Sequence, residues 1–66
     1  MEITVNGAGR EIRETITIQQ LLEELGRETE GLAVAVNDEV VPRDQWQHRR
    51  LDNRDRVEII QAVQGG

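Results

Sequence analysis

A chain of 66 residues without cysteine has to fold around one small hydrophobic core that no covalent bond reinforces. A domain of this size buries about 60% of the surface that its unfolded chain exposes, so its net stability is small. The sequence offers no disulfide, no thiolate ligand for zinc and no thiolate nucleophile. We therefore expect a single domain without an independent second core.

The charge balance narrows the classes of partner. The formal net charge of −5 disfavours nucleic acid and anionic membranes, which are bound mainly through clustered Lys and Arg. Met1-Glu2-Ile3 opens the chain without the basic and apolar segments of a secretory leader, and no apolar stretch approaches the roughly 18 residues of a membrane span. The one histidine, His48, cannot build a metal site alone. We expect a cytoplasmic protein with no metal, no nucleic acid and no membrane partner.

The first third of the chain has the pattern of a β-hairpin. Apolar and polar residues alternate over residues 2–5, as in a half-buried strand. The sequence Asn6-Gly7-Ala8-Gly9 follows and predicts a turn, because glycine allows positive φ at low cost. Alternation then resumes through Ile12, Glu14 and Ile16, which predicts a second strand.

A helix is predicted after this hairpin. Thr17 and Gln20 have the spacing of a capping box, in which each side chain satisfies a backbone N–H at the helix start. The residues of the apolar stripe recur at helical spacing and are Ile18, Leu21, Leu22 and Leu25. Gly26 suits a left-handed position after the helix end.

The second half of the sequence predicts three further strands. Residues 32–36 are a continuous apolar run and predict a buried strand, followed by a turn at 37–39. Val40-Val41 forms a short strand that Pro42 ends, and residues 42–46 predict a helical turn whose Trp46 covers the core. After a polar turn at 52–55, the last strand covers residues 57–63. We expect a domain over residues 1–63 and a mobile tail over 64–66.

The predicted element order favours an α+β fold with a mixed sheet of four to five strands and one main helix across one face. A chain with this order that ends in Gly65-Gly66 resembles the β-grasp, or ubiquitin-like, fold. That resemblance implies that the first and last strands lie side by side in the centre of the sheet.

Within that fold, the sequence resembles the ThiS family of sulfur carriers in thiamine (thiazole) biosynthesis. The stretches that carry the likeness are Ile3-Thr4-Val5-Asn6-Gly7, then Val36-Asn37-Asp38-Glu39-Val40-Val41-Pro42-Arg43-Asp44-Gln45-Trp46, and residues 57–66. The middle stretch discriminates best, since its asparagine, paired valines and Pro-Arg before Trp look specific to this family. One turn departs from the pattern, because Asn53-Arg54-Asp55 replaces the usual Asp-Gly-Asp. We predict that Asn53 takes the left-handed conformation there, since asparagine tolerates it better than arginine.

The resemblance implies chemistry at the C-terminal carboxylate of Gly66. A ubiquitin-activating-type (ThiF-like) enzyme would adenylate it with its own ATP and magnesium, and a sulfur donor system would convert it to a thiocarboxylate. Gly65 would give clearance beside it, because glycine has no Cβ. Thiazole synthase (ThiG-like) would receive the sulfur. The chain would be a cosubstrate that binds no cofactor itself, not an enzyme, and a monomer that docks transiently.

The last predicted strand also indicates where partners dock. Successive side chains on a strand point to opposite faces, so Ile59 and Ile60 cannot both face the helix. The charge of Glu58 marks its side of the strand as the outer one, which leaves Ile60 exposed near the tail. The predicted partner-binding residues are Glu58, Ile60, Ala62 and Gln64.

Three alternatives to a thiazole-pathway carrier remain open from the sequence. The small subunit of molybdopterin synthase is another Gly-Gly sulfur carrier with this fold, but it is usually longer and has a different segment before its last strand. A ubiquitin-like modifier would form isopeptide bonds with target lysines. A β-grasp interaction module would have an inert tail.

Overall fold

The computed structural model describes residues 1–61 as two β-hairpins, a helix and a final strand. The elements are β1 (Glu2–Val5), β2 (Ala8–Glu11), α1 (Ile18–Glu24), β3 (Leu32–Val36), β4 (Glu39–Val41), a 3-10 helix (Arg43–Gln45) and β5 (Arg56–Gln61). The prediction of a last strand running to residue 63 extends past the described residues, and the strand begins one residue earlier than predicted.

Within residues 1–61, five strands form one mixed sheet in the order β2-β1-β5-β3-β4. β1 and β5 run parallel and pair through Thr4 with Arg56 and Val5 with Val57, whereas β5 pairs with β3 antiparallel along Leu32–Val36. The first and last strands are therefore neighbours and β5 is the middle strand. This confirms the predicted β-grasp arrangement.

The first hairpin turns earlier than predicted. Asn6 and Gly7 both have positive φ, at 51° and 84°, and Val5 pairs with Ala8, so the turn has only two central residues. The prediction that the second strand continues to residue 16 is wrong, since β2 ends at Glu11. Thr15 has a φ of 68°, a left-handed conformation that no extended strand can contain.

Helix α1 begins with the predicted capping box. The N–H of Gln20 donates to the Thr17 hydroxyl at 3.2 Å, and the Thr17 N–H donates to Oε1 of Gln20 at 3.0 Å. Gly26, just past the helix end, has a φ of 68° as predicted. One hydrophobic core contains the buried residues of the helix, the inward side chains of the sheet, Trp46 and Leu51. The helix and strand residues in it are Ile3, Ile18, Leu21, Leu22, Val34, Val36, Val41, Val57 and Ile59.

Strand β3 is buried on one face only, which corrects the prediction of a buried strand. Val34 and Val36 lie in the core, while Ala33 is exposed and Ala35 is half-buried. The helix covers one side of the sheet, so the alternate residues of β3 lie on the other side. Because Ala33 and Ala35 have small side chains, the outer face of the sheet projects little at β3.

Trp46 follows the 3-10 helix directly and packs in the core. Trp46 is 1% exposed and its indole N–H donates to the carbonyl of Val41 at 2.9 Å. The side chain therefore buries its apolar surface and satisfies its one polar group. This confirms its predicted packing role. The strand β4, which ends just before Pro42, lies at the edge of the sheet.

The turn before β5 places the left-handed residue one position later than predicted. The turn closes between Asp52 and Asp55, whose N–H donates to the Asp52 carbonyl at 3.1 Å. Arg54 is its third residue and has a φ of 71°, as a type II turn requires at that position. Asn53 has no positive φ; its side-chain oxygen accepts from the Glu2 N–H at 2.9 Å. The expectation for Asn53 is therefore wrong.

Candidate functional site

The outer face of β5 has the side-chain arrangement that the sequence predicts. Ile59 is 5% exposed and lies in the core, whereas Ile60 is 57% exposed. Glu58 is exposed on the same face as Ile60. The adjacent isoleucines thus have opposite surroundings, and a large apolar side chain remains in contact with solvent.

Ile60 belongs to a larger apolar surface that crosses three strands. Ala33 is its cross-strand neighbour on β3, and Ala35 lies between Glu58 on β5 and Val40 on β4. We name these five residues, Ala33, Ala35, Val40, Glu58 and Ile60, the outer patch. At ordinary strand spacing Val40 and Ile60 stand about 12 Å apart, with only alanines between them. The outer patch is therefore a shallow hollow that is apolar except for Glu58 at one corner, with a β-branched side chain at each end.

The sequence interpretation missed three members of the outer patch, Ala33, Ala35 and Val40, of which only Val40 has a large side chain. It is 74% exposed, and among the described residues only Val40 and Ile60 are large apolar side chains with such exposure. The signal was present in the sequence, because Val40 and Val41 are adjacent on a short strand just as Ile59 and Ile60 are. One of each pair has to face outward, and Val41 faces the core at 7% exposure.

The two hairpin turns hold β5 from opposite sides by asparagine side chains. Asn6 accepts from the Ile59 N–H at 2.8 Å and donates to the Ile59 carbonyl at 3.3 Å. Asn37 accepts from the Arg56 N–H at 2.9 Å, at the start of the strand. Both asparagines have a φ of 51°, which asparagine tolerates better than most residues. The main chain of β5 is thereby held at its first residue, Arg56, and at Ile59, two residues before its described end.

Four of the predicted site residues lie outside the described residues. They are Ala62, Gln64, Gly65 and Gly66. The structure describes the other two, Glu58 and Ile60, and places them on one face of the last strand. In sequence, that strand directly precedes the predicted tail.

Within residues 1–61, no side-chain cluster has the composition of a metal site. His48 is exposed, follows the 3-10 helix and is not part of the outer patch. None of the helices described over that range has the length and hydropathy needed to cross a bilayer. The most distinctive surface feature of the described residues is therefore the outer patch, with its two exposed large apolar side chains.

Comparison with known proteins identifies the family. The model of the ThiS family matches residues 3–66. The Sulfur carrier protein ThiS of Escherichia coli is 32% identical over 66 residues, covering all of both chains. The crystal structure of the thiamine biosynthesis protein ThiS from Geobacter metallireducens superposes with a TM-score of 0.89, at 29% identity and with full coverage of both chains.

A longer relative has a different architecture. A protein named Thiazole synthase from Paramagnetospirillum magneticum is 32% identical over 66 residues, which are all of this chain but only 20% of that protein. The whole sequence thus matches one module of a larger chain there. With a family match over nearly every residue, full-length relatives and a shared fold, the chain belongs to the ThiS family.

Proposed function

We propose that this chain carries sulfur for thiazole formation in thiamine biosynthesis, on a thiocarboxylate at Gly66. The observation that supports this most strongly is the family match over residues 3–66, which includes the Gly65-Gly66 end. The E. coli relative, which bears the name of a sulfur carrier, aligns with this chain over the full length of both. The cytoplasm stays the proposed location.

The proposed chemistry follows from the poor reactivity of a carboxylate. An oxygen of the Gly66 carboxylate attacks the α-phosphorus of ATP and pyrophosphate leaves, which gives an acyl adenylate. Hydrosulfide supplied by the sulfur donor system then attacks the carbonyl carbon and AMP leaves, which gives the thiocarboxylate. ATP and magnesium are bound by the adenylating enzyme, and this chain is its cosubstrate. Sulfur sits on the terminal carbon of the chain, so a protein without cysteine can still carry it.

The outer patch is the proposed docking surface for the adenylating enzyme and for thiazole synthase. A single exposed isoleucine needs no explanation, but Ile60 and Val40 extend one apolar hollow across three strands. The patch includes the last strand, which leads to the reacting end. A thiazole synthase in which a module similar to this chain is part of the same polypeptide supports that enzyme as a partner.

Intact mass after reaction tests the proposal. The purified chain is incubated with a ThiF-like adenylating enzyme, ATP, magnesium and a sulfur donor system, and a chain ending at Gly65 serves as the control. We expect exchange of one oxygen for sulfur in the full chain and no exchange in the control. Attachment to other proteins would instead indicate a modifier, and no change an interaction module. Addition of thiazole synthase and its small-molecule substrates separates thiazole formation from molybdopterin-type sulfur transfer.

A further inference from the structure

The parallel pairing between β1 and β5 stops before β5 does. The last paired residues are Val5 and Val57, and the Asn6 N–H makes one further bond to the Val57 carbonyl at 2.9 Å. The chain then reverses at Asn6 and Gly7, so no main chain of β1 comes level with Ile59. Since the backbone groups of a strand alternate in direction, those of Ile59 point toward this gap.

The side chain of Asn6 fills that gap. A carboxamide has one acceptor and one donor group, as a peptide unit does, and Asn6 uses both on the main chain of Ile59. The distances are 2.8 Å from the Ile59 N–H and 3.3 Å to its carbonyl. The side chain therefore takes the place of the strand residue that the hairpin turn removes.

This substitution determines how far β5 is held on both sides. On the β3 side, pairing continues to Gln61. On the β1 side, pairing would end at Val57 without the carboxamide, and the carboxamide moves the end to Ile59. A strand bonded on one side can twist more than a strand bonded on both sides, because two-stranded ribbons have a larger twist than wider sheets. The two further residues of two-sided pairing therefore affect the direction in which the chain continues.

We propose that Asn6 is a positioning residue for the C-terminal carboxylate. Its bonds to Ile59 hold β5 on the β1 side seven residues before Gly66 in sequence, and so fix the direction of the described end of the strand relative to the outer patch. When the outer patch is docked on the adenylating enzyme, a fixed direction of β5 brings the carboxylate into the active site in a larger fraction of the docked complexes. The inference rests on the proposed function and adds to it a residue far from the tail in sequence.

Asparagine is also favoured at position 6 by the positive φ of the turn alone. The test therefore has to keep the turn conformation and remove the hydrogen bonds to Ile59. Asn6→Gly does this, because glycine accepts the φ of 51° and has no side chain. Asn6→Asp keeps an acceptor for the Ile59 N–H and loses the donor. Asn37→Gly is the control, since Asn37 has the same φ and bonds β5 at Arg56, away from the tail. It also loses the bond from Asn37 to the buried Asp55, so an effect of lost stability alone should be at least as large there.

Two measurements test the positioning role of Asn6. Amide exchange by NMR should show that protection of the Ile59 N–H falls by about ten-fold in Asn6→Gly and is retained in Asn37→Gly, after correction for global stability. Steady-state adenylation by a ThiF-like enzyme should show a kcat about ten-fold lower for Asn6→Gly, with a KM within about three-fold of wild type. Asn6→Asp should fall between wild type and Asn6→Gly.

The outcomes separate this inference from the proposed function. If the wild-type chain is not adenylated, the proposed function fails and the positioning role fails with it. If the wild-type chain is adenylated and Asn6→Gly keeps its kcat, only the positioning role is overturned. Equal losses of kcat in Asn6→Gly and Asn37→Gly would also overturn it, since both would then report stability.

Discussion

The carboxamide of Asn37 donates to the carboxylate of Asp55 at 3.0 Å, which joins the turn between β3 and β4 to the turn before β5. Asp55 is 6% exposed and is the one buried charged residue of the described chain. Its second oxygen accepts from the Asp52 N–H at 2.8 Å, so both carboxylate oxygens are satisfied. The buried charge therefore has specific partners on two separate loops.

Replacing Asp55 by alanine should destabilise the fold by about 2–4 kcal/mol, because it leaves the Asn37 amide and the Asp52 N–H without their acceptor. Urea unfolding followed by the fluorescence of Trp46, the only aromatic residue, measures the change. Asp52→Ala is the control, since that exposed residue contributes main-chain groups to these bonds and should lose much less stability. Equal losses in the two variants would contradict the buried network.

Arg54→Gly should stabilise the protein by up to about 1 kcal/mol. A left-handed conformation costs a side-chain residue about 1–2 kcal/mol, and the greater freedom of glycine in the unfolded chain offsets part of the gain. Arg10→Gly makes the same exchange in the extended backbone of β2 and should destabilise by about 0.5–1 kcal/mol. Thermal unfolding of both variants is the measurement, and a loss of stability in Arg54→Gly would argue against strain at that turn.

Ile59→Ala should cost about 2–5 kcal/mol, because it truncates a core side chain in a domain with little stability to lose. Ile60→Ala removes the same atoms from an exposed position and should stay within about 0.5 kcal/mol of wild type. Urea midpoints of the pair test the inward and outward assignment directly. Similar costs at both positions would show that the two faces of β5 are not distinguished as described.

Ile60→Glu and Val40→Glu should each raise the KM for adenylation by about ten-fold while leaving kcat and melting temperature close to wild type. Both replacements put a charge into the apolar hollow of the outer patch without entering the core. Gln47→Glu adds the same charge at an exposed position beyond the 3-10 helix and should leave KM unchanged. Wild-type KM in both patch variants would remove the outer patch as the docking surface.

Gly65→Val should block adenylation and thiocarboxylate formation without lowering stability. A β-branched side chain beside the reacting carboxylate occupies space that the enzyme's channel has to leave open for the main chain. Gly65→Ala adds a single methyl group and should retain intermediate activity. Intact mass and pyrophosphate release are the readouts, and full activity of the valine variant would show that no narrow channel surrounds this position.

Local rules in the sequence predicted the helix, the capping box, the exposed Ile60 and the buried Trp46. Each of these depends on residues close in sequence or on simple strand alternation. The sheet order followed from the resemblance to a known fold, because the parallel contact between β1 and β5 joins segments about 50 residues apart and no local pattern records it.

The errors share a different cause. The end of β2 and the left-handed residue at Arg54 depend on which backbone groups meet across the structure, such as the Glu2 carbonyl that accepts from the Arg54 N–H at 2.6 Å. Residue preference favoured Asn53 for that conformation, but the closure of the turn between Asp52 and Asp55 decided the position. The role of Asn6 at Ile59 was invisible for the same reason, since the side chain spans 53 positions in sequence.

The middle strand of the sheet is the last of its strands to be synthesised. In the described part of the chain, the β1–β2 hairpin and the β3–β4 hairpin each pair with β5 and are separated by it. While the chain emerges from the ribosome, the two hairpins have no common neighbour in the sheet until residues 56–61 have appeared. Translation that stops earlier leaves the two hairpins without the strand that joins them in the sheet. A folded outer patch therefore marks a polypeptide whose synthesis has already passed through the strand that leads to Gly66.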